Sequence, residues 1–183
     1  MRLINGAQLP NQGLTVASQN PVYIRGDYNT KDTDGNTRTD TTPVAKQIPA
    51  GVLADAVTVL SNNWVTNNSD TKGDQITSKR VATDTTVNAA FATGPSKESV
   101  SGQGNGQLEN LIRFLEDWSG GKYLHYKGSL VALWHSQQAT GPWNGTYYSP
   151  PRRDWAYDTL FDTSPPPGTP SGVLTQRGPW SRQ

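Results

Sequence analysis

Cysteine is missing from all 183 residues. That excludes disulfides, Cys-ligated zinc and thiol chemistry, so any core must be held by packing and hydrogen bonds alone. Charge is sparse and nearly balanced, with 17% charged residues and a formal net charge of +1. Such a chain projects no long-range field, and neither nucleic acid nor an anionic membrane surface is an expected partner. No apolar run approaches the roughly 18 to 20 residues needed to span a bilayer, and the N-terminus carries no signal-peptide core. If the parent protein is exported, its targeting segment is expected upstream. Hydrophobic residues make up only 33% of the chain, against 18 Gly and 13 Pro. This is a composition of turns and short strands, in a length that suits one main domain able to bury a core.

Short β-branched or aromatic runs bounded by turn residues predict strands over 14–17, 21–29, 56–60 and 85–92. A polar loop is expected over 30–47, and Pro49 suggests a short helical turn over 48–55. Leu108, Leu111, Ile112, Leu115 and Trp118 recur at helical spacing, which predicts an amphipathic helix over 107–118 stopped by Gly120 and Gly121. A strand over 122–126 is then expected to turn at Lys127 and Gly128 into another over 129–136. From Gln137 onward the chain is aromatic and Pro-rich and reads as an irregular tail packed over a preformed surface.

Apolar strands near 22–28, 57–60, 87–92 and 130–134 recur at roughly regular separations, and stacking them coil upon coil is an economical way to bury their inward side chains. The expected fold is therefore mainly β: a right-handed parallel β-helix, or solenoid, with one amphipathic α-helix and an irregular C-terminal tail. It divides into a β-helix-like domain over 1–136 and a packed segment over 137–183. A β-sandwich is the alternative.

The strings GLTVASQNPVYIRGDYN (13–29), ADAVTVLSNNW (54–64), DTTVNAAFATG (84–94), LENLIRFLEDWSG (108–120), GSLVALWHSQQATGPW (128–143) and PPRRDWAYD with PPGTP (150–170) carry a family likeness. They resemble the C-terminal region of bacterial PilX-type pilus-assembly proteins, which have a prepilin-like N-terminal segment. The resemblance implies a structural role in the cell envelope or outside the cell, beside other surface-assembly proteins. It also implies that the membrane helix and first coils are not in this chain. A coil stack cut there would expose unpaired N–H and C=O groups, which predicts a homo-oligomer through the exposed N-terminal coil.

Catalytic signals are weak. His125 and His135 are the only imidazoles, ten residues apart, a spacing that fits no zinc motif. They are the candidate metal ligands of an alternative reading, a Zn-dependent hydrolase of low activity; otherwise no cofactor is expected. His135 and Ser136, with Asp27, Asp154 or Asp158 as orienter, suggest a nucleophile and base, but neighbours on a strand point to opposite faces. Asp32 and Asp34 offer oxygen ligands of the kind Ca²⁺ prefers, without the EF-hand spacing, and read better as an Asx-rich turn. Glu116 and Asp117 diverge by about 100° on a helix and could not flank one glycosidic bond. Trp143, Tyr147 and Trp155, with Tyr148 and Tyr157, could form a sugar-stacking platform, the basis of a second alternative, a carbohydrate-binding module. The leading expectation is a structural or interaction domain without catalytic function.

Overall fold

Alternation of inward and outward side chains organises the molecule. In the computed structural model, which describes residues 1–41, 45–64, 80–96, 110–141 and 147–169, nine strands form. They are β1 (Arg2–Leu3), β2 (Leu14–Ser18), β3 (Val22–Arg25), β4 (Ala50–Ala54), β5 (Val57–Leu60), β6 (Thr85–Thr93), β7 (Ile112–Arg113), β8 (Tyr123–Val131) and β9 (Arg152–Tyr157). In β3, Val22 and Ile24 are buried while Tyr23 and Arg25 are half-buried, the period of two that a sheet face imposes. β5 is buried at every position, as strands covered on both faces are.

The strands make two sheets, β1-β3-β5-β7 and β2-β4-β6-β8-β9, and every ladder between them is parallel. One apolar cluster lies between the sheets. Val22, Ile24, Val57, Val59 and Ile112 enter it from the first, and Val52, Val87, Ala89, Phe91, Leu124 and Tyr126 from the second. Phe91 and Tyr126 pack with ring centroids 5.2 Å apart.

The expected β-helix solenoid is corrected by this topology: the fold is mainly β, with parallel sheets of four and five strands and, among the described residues, almost no helix and no closed barrel. The apolar runs read as one repeat fall in different sheets, Val22–Arg25 and Val57–Leu60 in the first and Thr85–Thr93 and Tyr123–Val131 in the second, and the pairing steps are unequal. Arg2 pairs with Tyr23, Tyr23 with Thr58 and Thr58 with Arg113, steps of 21, 35 and 55 residues. The steps in the second sheet, Thr15 to Gly51, Gly51 to Ala90, Ala90 to Ser129 and Tyr123 to Arg152, are 36, 39, 39 and 29. Nor is it a sandwich of antiparallel sheets, because the ladders all run parallel.

The amphipathic helix is corrected as well. Residues 107–109 lie outside the described part, and beyond them Ile112 and Arg113 pair with Val57 and Thr58 as β7. Arg113 and Glu116, which the helix would have turned to water, are buried. Tertiary pairing overrides a local pattern whenever it buries more than the pattern can. For the same reason 50–54 is a strand and not a helical turn: it pairs in full register with β2 and places Ala50, Val52 and Ala54 in the core.

Lys127 and Gly128 continue a nine-residue strand where a turn was expected. Gly128 is required there by close approach. A Cβ at that position would collide with the Ala89 carbonyl oxygen and lie 2.7 Å from both the Ala89 carbonyl carbon and the Tyr126 hydroxyl. The Tyr126 hydroxyl lies there instead, within hydrogen-bond distance of two carbonyl oxygens, Ala89 O at 2.8 Å and Ser129 O at 2.9 Å. The C-terminal segment, expected to be irregular, supplies β9 as the edge of the second sheet, followed by a single 3₁₀ turn (Thr159–Asp162) capped by Asp158.

Candidate functional site

The two histidines are not brought together. His125 stands on the outer face of β8, directly opposite Asp154 of β9, and its Nδ1 lies 2.7 Å from Asp154 Oδ2. Thr41 donates to the other carboxylate oxygen at 3.0 Å, and the Tyr123 ring stacks on the imidazole with centroids 5.3 Å apart. His135 is exposed beyond the far end of the same strand. His125 and Val131 alone are six strand residues apart, about 20 Å at 3.3 Å per residue, so the imidazoles cannot share one ion. Among the described residues no group of three His, Asp or Glu side chains is placed to hold a metal.

Ser136 is not His135's nucleophile either. Its hydroxyl donates to Asp55 at 2.6 Å, and the same carboxylate accepts the backbone N–H of Gln137, Gln138 and Ala139 at 2.5, 3.1 and 3.1 Å. Burial alone would push the Asp55 carboxyl up, but these four donors outweigh it and hold it below its ordinary range. Asp55 is thus the anchor of the segment after β8, while Asp27 accepts Thr86 N at 2.9 Å. Sequence reasoning did not find Asp55, which looks locally like any Asp ending a strand.

Asp32 closes a turn on itself, accepting the N–H of Asp34 and Asn36 at 2.9 Å each and the Asn36 amide at 3.1 Å. The Asn36 side-chain bond is the main cause holding its carboxyl below the usual range. Asp34 is exposed and paired with Lys46 at 2.7 Å. These are the contacts of an Asx turn. Of the aromatic candidates, Trp143 lies outside the described residues. Tyr147 is half-buried, and its carbonyl accepts from Arg80 at 3.2 Å. Trp155 packs edge-on against Tyr126 at 5.6 Å, with the Arg153 guanidinium 4.9 Å above its ring.

Three polar groups are buried against the sheets. Glu116 accepts both the N–H and the hydroxyl of Ser61 at 2.6 Å, and burial lifts its carboxyl above the ordinary range. On the outer face of the second sheet, Arg38 and Gln47 cover Lys127 of β8, and Asn29 donates to Ile48 O at 2.7 Å and Asn88 O at 2.9 Å. On that face Lys127, Gln47, Arg38 and Asp158 meet. Lys127 Nζ and Arg38 Nη1 both donate to Gln47 Oε1, at 3.1 and 2.9 Å, and Gln47 Nε2 donates to Asp158 Oδ2. Burial lowers the Lys127 ammonium and raises the Asp158 carboxyl relative to their ordinary ranges. A lone Lys inside the run LHYKGSLVALW is the one signal that could have marked this cluster.

The two sheets end together. β1 pairs only with β3, and β2 only with β4, so among the described residues each leaves one edge without a neighbour. Leu3 and Leu14 pack on the core from these edge strands while staying half-exposed, and Ile4 and Ala17 are exposed beside them. Among the described residues no helix is long and apolar enough to cross a membrane. No protein-family model, curated protein or solved structure matches the chain.

Proposed function

We propose that the chain is a structural and interaction domain of an exported bacterial surface assembly, not a turnover enzyme, and that it associates with further copies of itself end to end. The observation that supports this reading is that, among the described residues, β1 and β2 each have one edge without a neighbour, with Leu3 and Leu14 half-exposed on the core beside them. Unpaired edge N–H and C=O groups beside apolar side chains are a template for strand addition, and natural monomers usually block them with Lys, Pro or a bulge. Here the five residues of β2, Leu-Thr-Val-Ala-Ser, carry no charge and no Pro. The resemblance of the sequence to PilX-type pilus-assembly proteins accords with this role and with a place in the envelope or outside the cell.

Sedimentation velocity tests the proposal. The expected result is a species larger than the monomer that grows with protein concentration and that the double variant Ile4→Lys and Ala17→Lys abolishes. Both positions are exposed, so the fold should tolerate the charges. A wild-type chain that stays monomeric at every concentration would overturn the reading.

A further inference from the structure

The geometry points to an intramolecular covalent bond, formed by the protein on itself, between the Lys127 amine and the Gln47 side-chain carbonyl carbon, with release of ammonia. All four groups an acyl transfer needs converge on the outer face of the second sheet. The nucleophile, Lys127 Nζ, is 3.1 Å from Gln47 Oε1. Arg38 Nη1, 2.9 Å from that same oxygen, is placed to hold the negative charge that develops there. Asp158 bridges the two nitrogens between which a proton must move: Oδ2 accepts from Gln47 Nε2, and Oδ1 is 3.9 Å from Lys127 Nζ. Exposures are 2% for Lys127, 1% for Asp158, 6% for Gln47 and 8% for Arg38, so bulk water does not compete at the reacting carbon.

Arg38 Nε and Nη2 are buried without a hydrogen-bond partner. Buried charge is retained at a cost unless it is well paired. Burial also favours the uncharged amine of Lys127 and the protonated acid of Asp158, the two forms the reaction starts from.

In the reaction, the Nζ lone pair attacks Gln47 Cδ and the carbonyl π pair moves onto Oε1, beside Arg38. Asp158 gives its proton to Nε2 and takes one from Nζ, which restores the acid. The C–Nε2 bond then breaks, ammonia leaves, and an Nζ–Cδ amide remains. No oxidant, reductant or second reactant is consumed. The product would tie the segment before β4 to β8, 80 residues away, in a chain that has no cysteine with which to do so.

Mass spectrometry of the folded chain after overnight incubation decides it. The expected result is an intact mass about 17 Da below the calculated value, one ammonia, together with a tryptic species in which the peptide beginning at Gln47 is joined to the one spanning an uncleaved Lys127. Lys127→Arg and Asp158→Asn should each restore the calculated mass. An unmodified wild-type mass overturns the proposal. So does a loss of about 18 Da mapped to Lys127 and Asp158, which would make Asp158 the acyl donor, or any bond mapped to other residues. Peptide mapping of the wild type is decisive even if a variant fails to fold.

Discussion

Replacing Gly128 with Ala puts the pairing of β6 with β8 to the test. The added methyl group has no free direction: it meets the Ala89 carbonyl oxygen and carbon and the Tyr126 hydroxyl, the last two at 2.7 Å. Overpacking a core costs about 1–3 kcal/mol, and because the obstruction is backbone and not a flexible side chain, the upper value, ~3 kcal/mol, applies. Displacing the Tyr126 hydroxyl from Ala89 O forfeits a hydrogen bond worth about 1 kcal/mol. The sum, about 4 kcal/mol, corresponds to a fall in Tm of roughly 8–16 °C for a chain of this size. Urea denaturation followed by tryptophan fluorescence, with calorimetry for Tm, measures it. Gly141→Ala is the control, since nothing lies within 4 Å of a Cβ there, and it should be neutral or stabilise by up to about 1 kcal/mol. Adding Tyr126→Phe to Gly128→Ala should cost less than the two changes summed, because the hydroxyl is one of the atoms in the way. If Gly128→Ala stays within about 1 kcal/mol of the wild type, β8 does not lie on β6 in this register.

Asp55→Ala should destabilise by about 3 kcal/mol, since it strands the Ser136 hydroxyl and three N–H groups; limited proteolysis near 134–140 should accelerate, and unchanged cleavage there would refute the anchoring role. Glu116, whose carboxyl burial lifts above its ordinary 4.5, holds a proton in the folded state that the unfolded chain releases sooner. Its contribution is therefore present below about pH 4.5 and declines as pH rises toward the folded value, so Glu116→Gln should remove that part of the slope of stability against pH. Identical slopes in wild type and variant would count against it. His125→Ala should cost no more than about 1 kcal/mol, because the pair with Asp154 is partly solvent-exposed; a loss several times larger in chemical denaturation would mean the pair is a structural keystone.

Runs such as Val22–Arg25, Val57–Leu60 and Thr85–Thr93 are readable as strands because their β-branched alternation is set by neighbours in the chain. The segment 107–118 misleads because its amphipathic spacing is equally local, yet Ile112 finds its partner in Val57, on a strand 55 residues earlier. Arg152–Tyr157 escapes notice as a strand since it is a charged edge preceded by Pro, where a sheet tolerates what its centre does not. The candidate groups divide in the same way. Asp32 and Asn36 meet within one turn and are legible as a turn. Asp154 is 29 residues from His125, and Asp55 is 81 from Ser136.

Composition and local pattern sufficed for a cysteine-free, turn-rich β protein of nearly neutral charge and for the places of its apolar strands, since these depend on residue type and on contacts a few positions apart. Which strands share a sheet, that 50–54 and 112–113 extend instead of coiling, and that Arg38, Gln47, Lys127 and Asp158 meet on one sheet face came from folding. Those outcomes depend on register between segments up to 120 residues apart, as Arg38 and Asp158 are, and a one-residue slip would send every side chain of a strand to its other face.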